Sequence, residues 1–171
     1  GVGAGPITGI TGPDPAVTCP TSPASFTAIP SATAPYTYQW QWRPQGTATW
    51  LNITNGVNTD PLSGEPAFNA FGASGVTVTT TNSVGNSVAI TGGRREIHVI
   101  VSNDCGSVTS DAATWSICPA DFDCDGFVTG EDFDGYVAAF EAGSLVSDFD
   151  QNGFVTGEDF DAFVMAFEGG C

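Results

Sequence analysis

Thirteen residues recur almost letter for letter near one end of this chain. DFDCDGFVTGEDF occupies Asp121–Phe133 and DFDQNGFVTGEDF occupies Asp148–Phe160, with eleven of thirteen positions in agreement at an offset of 27 residues. Each copy places acids at alternate positions, so any fold it adopts must hold several like charges close together. No base answers them nearby. Residues 118–171 carry 13 of the 19 acidic residues and no Lys or Arg, a net charge of −13. Residues 1–117 carry six acids and three arginines (Arg43, Arg94 and Arg95), a net charge of −3. That asymmetry predicts two units stabilised in different ways.

The spacing within the repeat reads as metal chemistry. With Asp121 as position 1, the predicted ligands of the first loop are Asp121, Asp123, Asp125, the backbone carbonyl of Phe127, and Asp132 at position 12. In the second loop they are Asp148, Asp150, Asn152, the carbonyl of Phe154, and Asp159. Gly126 and Gly153 at position 6 permit the sharp turn, and Thr129 and Thr156 at position 9 can act through water. This is the D-x-[DN]-x-[DN]-G pattern of calcium loops of EF-hand type, in which six to eight oxygens wrap a hard cation. Zinc is disfavoured, because the donors are oxygens and the only histidine, His98, lies elsewhere. Two bound calcium ions are therefore expected. They would cancel four of the negative charges, and metal binding should be the folding step of this segment, whose own core is small.

A helix is predicted after each loop. Phe133, Tyr136, Val137 and Phe140 fall at i, i+3, i+4 and i+7, and Phe160, Phe163, Val164 and Phe167 repeat the spacing. The two stripes are expected to pack on each other. Thr129 with Asp132, and Thr156 with Asp159, read as capping pairs, and Gly143 and Gly169 as helix stops. No entering helix precedes either loop. A duplicated loop with one helix each resembles the dockerin module, over about residues 118–171. The bracket CPADFDCDG…FEGGC also resembles the dockerin-like tails of secreted planctomycete-type bacterial proteins. The resemblance implies two calcium ions and docking onto a cohesin-like protein.

Residues 1–117 alternate short apolar strands with Gly, Pro, Asn and Ser, which predicts an all-β sandwich. In YTYQWQWR, Tyr36, Tyr38, Trp40 and Trp42 share one face; in REIHVIVS, Ile97, Val99 and Val101 do. GVTVTTTN and NSVAITG read as a strand pair around Asn82–Asn86, and GSVTSDAATWSI as the last strand. Residues 55–75 read as an insertion that forms a loop, extra strands or a contact surface. A Cys opening the second strand, Tyr-x-Trp on the third and NDCGS near the end resemble the immunoglobulin-like domains of bacterial surface proteins. By that resemblance Cys19 pairs with Cys105. Of the three cysteines left, Cys171 can reach Cys118 or Cys124. The pairing Cys118–Cys171 is preferred, with Cys124 at loop position 4 as the odd thiol.

The expected fold class is thus mainly β. An immunoglobulin-like β-sandwich over residues 19–117 precedes a small α dockerin-like module of two calcium loop–helix repeats over residues 118–171. Residues 1–18 form an N-terminal strand or extension that pairs with the sandwich's own sheet or with a neighbouring subunit. A net charge of −16 disfavours nucleic acid and anionic membrane surfaces. No apolar run is long enough to span a bilayer, so no membrane insertion is expected. Five cysteines in a Thr/Ser/Gly-rich chain suggest a secreted, extracellular or cell-surface protein. With one histidine, no lysine and no nucleophile motif, no enzymatic activity is expected. The expected role is a calcium-stabilised structural protein that forms a homo-oligomer, polymer or filament. The alternatives are attachment to a cohesin-like receptor, or polysaccharide binding through exposed aromatics. For Trp40 and Tyr38 the aromatic row reads instead as core.

Overall fold

The computed structural model describes residues 5–19, 22–32, 35–82, 94–150 and 152–170. It is mainly β. The strands are β1 (Ile10–Thr11), β2 (Ala16–Thr18), β3 (Pro23–Thr27), β4 (Ile29–Pro30), β5 (Thr37–Pro44), β6 (Leu51–Asn52), β7 (Gly56–Thr59), β8 (Pro66–Phe71), β9 (Thr77–Asn82), β10 (Arg94–Asn103), β11 (Gly106–Thr109) and β12 (Ala113–Ile117). Two helices follow, α1 (Gly130–Glu141) and α2 (Gly157–Gly169), with a 3₁₀ turn at Leu145–Ser147 between them.

Two larger sheets face each other. One runs β2-β12-β10-β5-β6, with β11 folded back on β10; the other runs β3-β9-β8-β7. Strand alternation decides which residues lie between them. Trp40, Trp42, Ile97, Val99, Val101, Trp115 and Ile117 come from the first sheet, and Phe26, Phe68, Ala70 and Val78 from the second. Phe68 meets Trp42 and Trp115 edge-on, at 4.9 and 5.6 Å between centroids. Arg95 is also enclosed, 1 % exposed. Its guanidinium lies 4.6 Å from the Trp115 ring and donates to the Ala67 carbonyl at 3.3 Å. Burial lowers its pKa to about 10, partly offset by Asp60, so the charge persists at neutral pH and is held by aromatic faces and a carbonyl.

The aromatic row on β5 therefore resolves as core: Trp40 and Trp42 are buried, while Tyr36 and Tyr38 pack at its margin. Residues 55–75 supply β7 and β8, so the insertion adds strands. The segment after residue 105 is two strands, not one. β11 pairs with the end of β10 and β12 with its start. Ser110 marks the break: its amide donates to the Val99 carbonyl and its hydroxyl accepts from the Val99 amide. The partner expected for β9 over NSVAITG lies outside the described residues.

Residues 5–18 are tied to their own chain. β1 pairs with β4, β2 runs parallel to β12, and Ile7 is buried in the core. Gly5 accepts from Asn103, and the Thr8 and Gly9 amides donate to Ser31.

The expected Cys19–Cys105 bond does not form. Cys19 follows β2 at the end of the sheet where β12 meets the start of β10, whereas Cys105 lies just beyond the other end of β10. Ten residues of strand, at about 3.3 Å each, put roughly 30 Å between those ends, against the ~7 Å limit between Cα atoms in a disulfide. Cys19 instead bonds Cys124, with Cα atoms 5.4 Å apart. Cys124 is thus not the odd thiol. Cys118 is disulfide-bonded; its expected partner, Cys171, lies outside the described residues.

Candidate metal centres

The C-terminal region is built by the repeat. The stripes of α1 and α2 meet as expected, and antiparallel: Phe133 neighbours Phe167 and Phe140 neighbours Phe160, both at 5.5 Å between centroids. At the middle Tyr136 stacks on Phe163 at 4.0 Å and 2°, and both are fully buried. Phe122 and Phe149, at position 2 of each loop, close on that pair at 5.6 to 6.3 Å. The helix pattern does not reach these two, because they precede the helices. Their identity in both repeats is the signal that could have found them.

Both helices start at a capping box, on Thr129 with Asp132 and on Thr156 with Asp159. After α1, Gly143 takes the left-handed φ of 66° expected of a stop. At the second helix the stop is Gly170, φ 67°, one residue later than expected, because α2 continues through Gly169.

Each loop wraps its acids around backbone donors in the same way. Asp121 accepts from the Asp125 and Gly126 amides at 3.2 and 3.0 Å, and Asp148 from those of Asn152 and Gly153 at 3.2 and 2.8 Å. The position-12 carboxylate staples the loop to its helix. Asp132 accepts from Asp123 and Thr129 at 3.0 and 2.8 Å, and Asp159 from Asp150 and Thr156 at 3.0 and 2.7 Å. Gly126 and Gly153 both sit at φ 91°, where an L side chain is strained.

The result is two clusters of carboxylate oxygens. Asp121, Asp123, Asp125 and Asp132 each offer an oxygen within 4.8 Å of the others, and so do Asp148, Asp150 and Asp159. Asn152, at position 5, adds its amide to the second loop. Phe127 and Phe154 point their rings outward, each 70 % exposed, which leaves only their backbone for a ligand role. Crowding of like charge shows in the titration. Asp123 is pushed up to about 6, by desolvation first and then by the Asp132 and Asp125 carboxylates. Asp150 is raised for the same reasons, with Asp159 as the charged neighbour. Burial also raises Asp132 and Asp159, but the amides they accept from outweigh it and hold both below the usual carboxylate range. Such converging oxygens, with no cationic side chain in the region, can hold a metal ion.

The two centres differ in their anchorage. The first follows directly from β12 through Cys118–Ala120, and Ala120 and Asp121 are buried. The Cys19–Cys124 bond then ties its position 4 to the end of β2. Cys124 holds φ 60°, an uncommon value for a side-chain-bearing residue. The bond exploits the outward direction of position 4. Cysteine counting alone had no means of choosing this pair, since it joins residues 105 apart across the two regions. His98 belongs to neither cluster: it stacks on Trp50 at 3.5 Å and shares a 2.7 Å hydrogen bond with Gln41 on the sheet. No protein-family model matches the chain, and no curated protein matches it with significance.

Proposed function

We propose that this chain is a secreted, non-catalytic structural protein in which an immunoglobulin-like sandwich carries a dockerin-like module folded around two calcium ions, and whose copies assemble into an extracellular or cell-surface filament or matrix. The observation that carries the reading is the doubled carboxylate cluster, with its identical amide wrapping, in a region of charge −13. Calcium is favoured among divalent cations because every donor is a hard oxygen and the flexible loop supplies ligands at positions 1, 3, 5, 7 and 12. The Cys19–Cys124 bond supports an oxidising compartment.

The strand order supports the immunoglobulin-like reading. β3-β9-β8 on one sheet and β5-β10-β12 on the other correspond to strands B-E-D and C-F-G, with buried Trp40 on strand C. The burial of His98 against Trp50 and Gln41 supports a structural rather than a catalytic role for it. Polysaccharide stacking loses Trp40 and Trp42, which are core. Attachment to a cohesin-like receptor has one observation in its favour: Phe127 and Phe154 stand exposed at equivalent positions of the two loops. Such a repeated display offers a partner two near-equivalent faces.

Isothermal titration on the chelator-treated chain, followed by light scattering and electron microscopy with calcium, tests the proposal. Two ions per chain and calcium-dependent particles larger than a monomer are expected. A chain that takes up no calcium, or stays monomeric at every concentration while one foreign protein captures it, would remove the structural reading.

A further inference from the structure

The sequence holds two Asn-Gly pairs, one in each region: Asn55-Gly56 in the sandwich and Asn152-Gly153 in the second loop. Asparagine before glycine is the pairing most open to deamidation, because glycine has no Cβ to obstruct attack by its own backbone nitrogen. At the second pair the Gly153 nitrogen gives up its proton to base and bonds to Asn152 Cγ. The Cγ–Nδ2 bond breaks and ammonia leaves. Water then opens the resulting succinimide ring at either carbonyl, giving aspartate or isoaspartate. Both asparagines are exposed, so access does not distinguish them.

What differs is the clamp on each pair. The Gly153 amide donates to Asp148 at 2.8 Å, so the attacking nitrogen is engaged. The Asn152 carboxamide is pinned from both ends: its Oδ1 accepts from the Phe154 amide at 2.9 Å and its Nδ2 donates to Asp150 at 3.2 Å. All three partners belong to the loop itself, and Asp148 and Asp150 are among its candidate ligands. Attack therefore requires the loop to open. At the other pair Asn55 Oδ1 accepts from the Ala73 amide at 3.0 Å, and Gly56 begins β7, paired with Ala70 of β8. That clamp belongs to the sandwich.

We infer that Asn152 is a deamidation site guarded by calcium, so that a chain left without the ion is chemically altered at its second centre. The inference rests on the calcium reading proposed above. The first loop does not share the site, because its position 5 is Asp125, whose ionised carboxylate is a poor target for a nitrogen nucleophile. The two products act in opposite directions. Aspartate at 152 reproduces the first loop, where Asp125 accepts from the Phe127 amide at the same 2.9 Å, and the added carboxylate strengthens calcium binding. Isoaspartate routes the main chain through the side-chain carbons, lengthens the backbone between positions 5 and 6, and displaces the ligands at positions 7 and 12. Calcium that binds only the closed loop lowers the opened fraction by mass action, about a hundredfold when its concentration is a hundred times Kd.

Peptide mapping by mass spectrometry tests this, on the full chain held for weeks at mildly alkaline pH in saturating calcium or in excess chelator. Calcium uptake is titrated on the same samples before and after. Asn152 should convert at least about tenfold faster in chelator, whereas the rate at Asn55 should differ by less than about twofold between the two conditions. Returned to calcium, the chelator-aged chain should show its second binding phase reduced in proportion to the isoaspartate found, and Asn152→Asp aged alike should keep both phases. Conversion of Asn152 at one rate in both conditions, in a chain that takes up calcium, would overturn the guard and leave the calcium reading standing. Equal acceleration of Asn55 would also overturn it, since the opening would then be global. A chain that takes up no calcium would overturn the reading and the inference together.

Discussion

The two regions of this chain reach a folded state by different means. The sandwich encloses three of its four tryptophans together with Phe26, Phe68 and a buried arginine, and carries a net charge of only −3. The C-terminal region has Tyr136 and Phe163 as the only fully enclosed large side chains in its helices, and a net charge of −13. Burial at about 25 cal/mol per Å² can hold the first unaided, whereas the second has too little apolar area to outweigh its self-repulsion. On the proposed reading a cation supplies what the C-terminal region lacks, and the sandwich does not need it. The contrast predicts that the two can be separated experimentally, although a disulfide joins them.

The largest separation should come from chelation. All four tryptophans lie in residues 1–117, and both helices lie after residue 118. Tryptophan emission thus reports the sandwich, and the 222 nm circular dichroism reports the metal-dependent region. Excess chelator is expected to abolish most of the helical signal while leaving the emission maximum unmoved. Parallel loss of both signals would break the comparison, by showing that the sandwich also depends on the ion. The reciprocal variant is Phe68→Ala. Phe68 is fully buried against Trp42 and Trp115, so its truncation should cost the sandwich about 3–5 kcal/mol. Calcium stoichiometry, read by titration below the melting temperature, should stay at two.

The two regions were also unequally legible from sequence. The repeat announced its helices and its two clusters of carboxylates, because each constrained position occurs twice at one offset and the spacing that gathers them is local in sequence. Strands β5 and β10 were equally plain from their alternation. What escaped was non-local. Cys19–Cys105 followed a family expectation that the register of β10 makes impossible, since its ten residues separate the two cysteines. Phe122 and Phe149 sit within the loops and fall outside any helical period, yet they complete the aromatic core of the helices. Arg95 falls by strand alternation on the face of Ile97, Val99 and Val101, but what offsets the burial of its charge, the Trp115 ring and the Ala67 carbonyl, comes from distant strands.

An intermediate effect should separate the two metal centres from each other. Only the first loop is bonded to the sandwich, through Cys124. A cross-link closing a loop of about a hundred residues restricts the unfolded chain by an amount usually worth ~2–4 kcal/mol. Cys124→Ser should therefore weaken calcium binding at the first centre while leaving the second close to its wild-type affinity, so a two-site titration should change in one phase only. Equal weakening of both phases would mean that the helices, rather than the bond, couple the centres.

The smallest effect is one of pH, and its sign depends on the metal. Without the ion, Asp123 titrates at about 6 in the folded loop against 3.8 for an ordinary carboxylate, and Asp150 is raised as well. Between those values the folded loop binds more protons than the unfolded chain, so this group's contribution to stability is full below pH 4 and is lost as pH rises through 6. Asp132 and Asp159 oppose it, but with their values held below the ordinary range their effect falls at the acid end of that window. Chelated protein brought from pH 7 to pH 5 should then regain part of its helical signal. With calcium the direction reverses, because the ion and the proton compete for the same oxygens: acidification through 6 should weaken calcium binding. Helical signal followed from pH 7 to 5 in chelator and at half-saturating calcium would check both signs. A fall in chelator as well would show that Asp132 and Asp159, held low by the amides they accept from, outweigh the crowding at Asp123 and Asp150 in the empty loops, and would overturn the sign predicted for the metal-free chain.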